Sequence, residues 1–166
     1  QIVKGNACPS TPAAGCNAGA KGVLSIKDNA VNTKDKFTWK WQNGTLGAGL
    51  DDPSSQTDLA VCIYDQNGKL VGGQVPHGTT FWTVTPTQLS YKDTAAANAG
   101  IQKIKIKPNV IATKAKFLAK GKGAAVNAAT LPGTFPVTAQ LINLDNNVCW
   151  QSSFPAYCPG EGLAPG

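Results

Sequence analysis

The sequence predicts an all-β protein, an antiparallel β-sandwich of immunoglobulin-like or jelly-roll-like kind with about eight or nine short strands. Three observations point there. Residues 57–75, TDLAVCIYDQNGKLVGGQV, set two apolar runs about Asn67-Gly68, and Asn-Gly tolerates the positive φ that a tight hairpin turn needs. The stretches KFTWKWQ and IQKIKIK alternate apolar and polar side chains, which puts one set on each face of a strand. The chain of 166 residues holds 18 Gly and 11 Pro but no Met, no Arg and one Glu, so good helix formers are scarce. At this length a single domain buries about two-thirds of its unfolded surface.

Taken in order, residues 1–21 form an irregular arm. Cys8 and Cys16 bracket a Pro-containing loop there, read as a local disulfide clasp that would stabilise by ~2–3 kcal/mol. Strands are expected at 23–27 and 36–42, then a polar connection over 43–56. Its Asn43-Gly44-Thr45 matches a glycosylation sequon and is read as a turn. The central hairpin follows, then strands at 80–85 and 88–92, with at most one helical turn in 93–100. Residues 101–107 and 113–122 are a second lysine-alternating pair, and 123–133 a loop. A second hairpin spans 135–144 and 148–154. The tail 155–166 carries three prolines and no strand pattern. The organisation is thus an arm (1–21), a sandwich (22–154) and a tail (155–166), and no internal repeat stands out.

The formal charge is +6 and all 15 cations are lysine. Reading of bases and clamping of phosphates rely on the guanidinium fork, so nucleic acid is not an expected partner. No apolar run reaches the eighteen or so residues that cross a bilayer. A chain starting at Gln1 without Met, with five cysteines, is expected to be extracellular or on the cell surface, exported by a signal peptide since removed.

With Cys8–Cys16 local, Cys62, Cys149 and Cys158 compete for one further bond. Cys62 and Cys149 lie mid-strand, and a bond between them would join the two hairpins. Cys158 would then be a free thiol or an intermolecular partner. His77 is the only histidine and nothing in the sequence pairs it with a nucleophile; no enzyme is expected. Turn aspartates offer a weak calcium site, Asp52 and Asp58 being the best-spaced pair, and no other cofactor is implied. Trp39 and Trp41 form either a core pair or a sugar-stacking platform. Lys103, Lys105, Lys107, Lys114, Lys116, Lys120 and Lys122 sit on two neighbouring strands, read as a solvated face with guarded edges or as a cationic surface for an anionic glycan, lipid headgroup or acidic partner.

The segments KDKFTWKW, TDLAVCIYD and PVTAQLINLDNNVCW, in this order, resemble a lysine-rich domain of exported bacterial proteins of unknown function. The resemblance spans most of residues 8–154. It implies a secreted β-domain and supports a Cys62–Cys149 pairing. It departs around 75–82, where the family pattern implies a further cysteine pair, and in the tail with Cys158. The resulting expectation is a secreted, non-catalytic structural protein that associates with itself in an extracellular filament or surface assembly. The alternative is a glycan-binding or adhesion module using Trp39/Trp41 or the lysine-rich sheet face.

Overall fold

A computed structural model describes residues 7–126, 134–158 and 162–164, the last two strands by their backbone alone. The architecture is all-β: two sheets packed face to face, as the alternating segments require. Thirteen strands appear among the described residues, more than expected because several are only two to four residues long. The five-stranded sheet runs β1 (Asn17–Ala18), β11 (Cys149–Phe154), β10 (Val137–Asn143), β4 (Leu59–Asp65), β5 (Gly68–Val75). The eight-stranded sheet runs β12 (Ala156–Cys158), β13 (Gly162–Ala164), β2 (Lys21–Lys27), β3 (Lys36–Gly44), β9 (Ala115–Lys122), β8 (Ile101–Lys107), β7 (Gln88–Lys92), β6 (Trp82–Thr85). All pairs are antiparallel except β1 with β11.

Alternation sets the core. Phe37, Trp39 and Trp41 on β3 and Ile104 and Ile106 on β8 turn inward to meet Val61, Ile63, Leu141 and Trp150 of the other sheet. Buried indole nitrogens usually find acceptors: Trp39 Nε1 donates to Ser152 Oγ at 3.0 Å across the two sheets, and Trp82 Nε1 donates to the Pro76 carbonyl at 3.0 Å, whereas Trp41 Nε1 has no acceptor among the described residues. The central hairpin forms, with Asp65 opposite Gly68. Its loop residues are Gln66 and Asn67, one place earlier than the Asn-Gly signal puts the turn, and of the Asn-Gly pair only Gly68 takes a positive φ (130°). Its β5 strand carries a register shift near Ile63/Tyr64. Gly72 there has φ +124°, and an added Cβ would lie 1.9 Å from the Val61 carbonyl oxygen.

The disulfide expectation is corrected. The bonds are Cys8–Cys62 and Cys16–Cys149, neither a local clasp nor a link between hairpins. Register gives the reason. Cys62 lies opposite Gln140 on one side of β10, and Cys149 lies opposite Ile142 on the other. They are two strand spacings apart, about 9.5 Å, beyond the ~7 Å that a disulfide can bridge. Both instead reach outward to the arm, which lies over the sheet. Gln140 completes the attachment by accepting from the Ala13 amide (2.9 Å) and donating to the Ala13 carbonyl (2.8 Å), and the Tyr64 hydroxyl donates to the Pro9 carbonyl (2.9 Å). A second small core of Ala60, Tyr64 and Ile142 is sealed beneath. The tail is corrected too: β12 and β13 form a hairpin whose Leu163 pairs with Leu24. With the other four cysteines bonded to one another, Cys158 has no cysteine partner left in the chain; its side chain lies outside the described residues.

Strand pairing also exposes an internal duplication. Ile26-Lys27, Asn29, Thr33-Lys34, Lys36-Phe37 and Lys40 recur eighty residues on as Ile106-Lys107, Asn109, Thr113-Lys114, Lys116-Phe117 and Lys120. The 3-10 turns Asn32–Lys34 and Ala112–Lys114 match, each preceded by an Asn whose side chain accepts from the amide two residues on. In the large sheet Trp39 faces Ala119, and in the small sheet Val61 faces Leu141, in each case a residue and its own counterpart. An approximate two-fold axis normal to the sheets follows from that register. The hairpin β6–β7 that ends the first half docks on β8 of the second, while β12–β13, ending the second, docks on β2 of the first.

Burial pushes the Tyr64 phenol up to about 12. Burial does the same first at Tyr91, where the Asp93 charge adds to it and the Asn98 amide opposes it, again giving about 12. The folded state therefore favours the neutral phenols over the unfolded chain, whose tyrosines ionise near 10. This stabilisation is complete below about pH 10 and is lost as pH rises toward 12. Urea midpoints across that interval are expected to fall more steeply for the wild type than for Tyr64→Phe or Tyr91→Phe; parallel curves would contradict it.

Candidate functional site

Each residue singled out in the sequence now has a place. Trp39 and Trp41 are both fully buried. Trp41 stacks on Phe117 with ring centroids 5.0 Å apart, and Trp39 meets the same ring edge-on at 4.8 Å. The sugar-stacking platform is thereby excluded, because strict alternation turned both indoles to the core.

Asp52 and Asp58 are committed separately. Asp52 accepts from the Ser54 amide and hydroxyl at 2.9 and 2.6 Å and from Ser55 Oγ at 3.0 Å. The Ser54 bonds hold its carboxyl below the usual carboxylate range. Asp58 accepts from the His77 amide at 2.9 Å, from Gln74 Nε2 at 3.0 Å, and lies 2.7 Å from His77 Nδ1. Among the described residues no three His, Cys, Asp or Glu side chains group to hold a metal, and calcium needs six or more oxygens. The Asp58–His77 pair was not legible in sequence. Its carboxylate orients the ring as a catalytic carboxylate would, yet among the described residues no Ser, Thr or Cys side chain hydrogen-bonds to that ring.

The lysines converge. β8 and β9 are central strands of the eight-stranded sheet, so their lysines guard no edge. On the outer face Lys103, Lys105 and Lys107 lie beside Lys120 and Lys116. Lys122 lies opposite Lys36, which lies opposite Lys27. Lys21, Lys40 and Lys92 complete the face. Lys114 does not belong: β9 begins at Ala115, and Lys114 closes the 3-10 turn before it. Lys21, Lys27, Lys36 and Lys40 were missed in sequence because the β3–β9 pairing brings them to this face, and Lys92 because β7 pairs with β8. The signal that could have found three of them, Lys27, Lys36 and Lys40, is the eighty-residue repeat.

Like charges directly opposite one another across strands destabilise a sheet. This face holds five such contacts: Lys27–Lys36, Lys36–Lys122, Lys103–Lys120, Lys92–Lys103 and Lys107–Lys116. Among the described residues the ion pair present is His77–Asp58, on the other side of the fold, and none joins a lysine of this face to a carboxylate. Lys36 has a lysine on each side. Lys36→Gln is expected to raise the melting temperature at low ionic strength by about 1–3 °C, a gain that disappears at high salt as the repulsion is screened. A fall in melting temperature at low salt would show that Lys36 stabilises the sheet.

Two clefts open on the face. One, of about 230 Å3, lies among Lys40, Gln42, Lys105, Lys107, Lys116 and Leu118. The other, of about 360 Å3, lies among Ser25, Lys36, Thr38, Lys120 and Lys122. No helix among the described residues is long and apolar enough to cross a membrane, and two disulfides are compatible with an extracellular location. Protein-family models, curated proteins and solved structures contain no match to this chain.

Proposed function

We propose that the protein is an exported, non-catalytic module that holds an acidic polysaccharide on its lysine face, as part of a cell-surface or extracellular assembly. One observation carries this reading: a lysine-dominated face, broken by neutral side chains such as Ser25, Thr38 and Leu118, with repeated like-charge neighbours and no carboxylate on its strands. Such a face costs folding stability, and an anionic partner offsets that cost. Acidic polysaccharide fits better than nucleic acid. The aromatic rings of β3 and β9 all point into the core, leaving no platform there on which bases would stack, and no arginine fork is present. Co-sedimentation tests it: the protein should pellet with polygalacturonate gel and not with neutral dextran gel, and elute as salt rises. Equal retention on both gels, or on neither, refutes the reading.

Self-association is a second reading, favoured by one edge. β6 ends the large sheet without a lysine and with Val84 half exposed, an unguarded template for strand pairing. Light scattering at high concentration should show oligomers that Val84→Lys abolishes; monomers throughout would exclude this route.

A further inference from the structure

The eighty-residue duplication acts on the lysine face as well as on the fold. An offset of eighty relates the linings of the two clefts: Lys36 and Thr38 of the second correspond to Lys116 and Leu118 of the first, and Lys40 of the first corresponds to Lys120 of the second. The matching charge pairs Lys27–Lys36 and Lys107–Lys116 lie directly opposite one another on adjacent strands. We infer that the two halves give the face two equivalent anion subsites, and that one acidic polysaccharide chain crosses both. This rests on the reading of the face as a polysaccharide site.

The geometry supports a single ligand engaging both subsites. The clefts centre on neighbouring strands, β9 and β3, four residues apart along the sheet, which by strand geometry is roughly 14 Å. A rigid sheet holds that spacing fixed, so a polymer bound in one cleft reaches the other at high effective concentration. Lysine suits the task because it offers a point charge with rotatable donors rather than a fork of fixed geometry, matching carboxylate groups spaced along a sugar chain. The subsites differ in their centres: Leu118 gives one an apolar floor where Thr38 and Ser25 give the other hydroxyls. One therefore contacts the face of a sugar ring and the other its hydroxyl edge.

The experiment compares three double variants of equal charge: Lys27→Gln/Lys36→Gln, Lys107→Gln/Lys116→Gln, and the control Lys34→Gln/Lys114→Gln, whose lysines close the two 3-10 turns. Calorimetry at low ionic strength uses a short oligogalacturonate and long polygalacturonate, with circular dichroism confirming folding. The wild type should bind two short oligomers, each cleft variant one, and the control two. Affinity for the long polymer should fall at least about tenfold in either cleft variant and less than about twofold in the control. Binding of one short oligomer by the wild type, abolished by only one cleft pair, would overturn the two-subsite inference and leave the polysaccharide reading standing. Equal losses in all three variants would show attraction to net charge alone and overturn the inference. No binding by the wild type would overturn the reading itself. Tighter binding of single-stranded DNA than of polygalacturonate would assign the face to nucleic acid and overturn both.

Discussion

Replacing Cys16 and Cys149 by alanine is expected to lower the unfolding free energy by about 3–5 kcal/mol. The bond closes a sequence separation of 133 residues, and the unfolded chain regains that loop's entropy when the bond is removed. Native contacts go with it. β1 pairs with β11 next to Cys16, and Gln140 holds the Ala13 backbone by two hydrogen bonds; an untethered arm pays its own ordering entropy to keep them. Urea unfolding followed by fluorescence reads the change, and limited proteolysis should cut the variant first in residues 9–16. The single variant Cys16→Ala tests the connectivity. After denaturation, peptide mapping should find the newly free thiol at Cys149, with Cys8 and Cys62 still joined. A free thiol at Cys8 would instead show the local clasp.

The error in pairing is instructive about what a sequence carries. β4 reads LAVCIY without alternation, and every one of these residues is buried. In an antiparallel sheet an unbroken apolar run means that both faces are covered. The inner cover was evident; the outer cover is the arm, whose composition of Ala, Gly, Pro and Ser gives no periodic signal. The central hairpin, though not the exact residues of its turn, and the alternation of β3, β8 and β9 were legible because they encode local geometry. The disulfides depend on which strand lies between Cys62 and Cys149, and β10 comes seventy-odd residues after β4 in the chain, so its position beside β4 is a topological fact. The same holds for the candidate site. Seven lysines were identified by parity, one of them a residue too early because the strand starts at Ala115 and not at Thr113. The rest needed the β3–β9 register and, for Lys92, the β7–β8 register. The duplication was masked because only some lysines, the turn and a few apolar positions repeat, while among the large core residues Phe37 recurs as Phe117 but Trp39, Trp41 and Trp150 have no aromatic counterpart.

Trp39 shows why the core residues diverged, and Trp39→Ala is expected to cost about 3–5 kcal/mol. Trp39 faces its own counterpart, Ala119, at the approximate two-fold axis. Two residues meeting at such an axis share one volume, and two indoles would not fit at the packing density of a protein interior. One large and one small side chain do, so the halves differ where they touch. Removing the indole empties that volume, ends the edge-on contact with Phe117, and takes the donor from Ser152 Oγ. Trp39→Phe keeps most of the packing and loses the hydrogen bond, so its cost should be nearer 1 kcal/mol. Ala119→Leu should destabilise as well, by about 1–3 kcal/mol, since it overfills the site from the other half. The binding assay separates this from a glycan role for the ring. Folded Trp39→Ala should hold polygalacturonate as the wild type does, because the indole lies beneath the lysine face and does not reach it. Loss of binding with unchanged stability would place the ring at the surface and contradict the packing described.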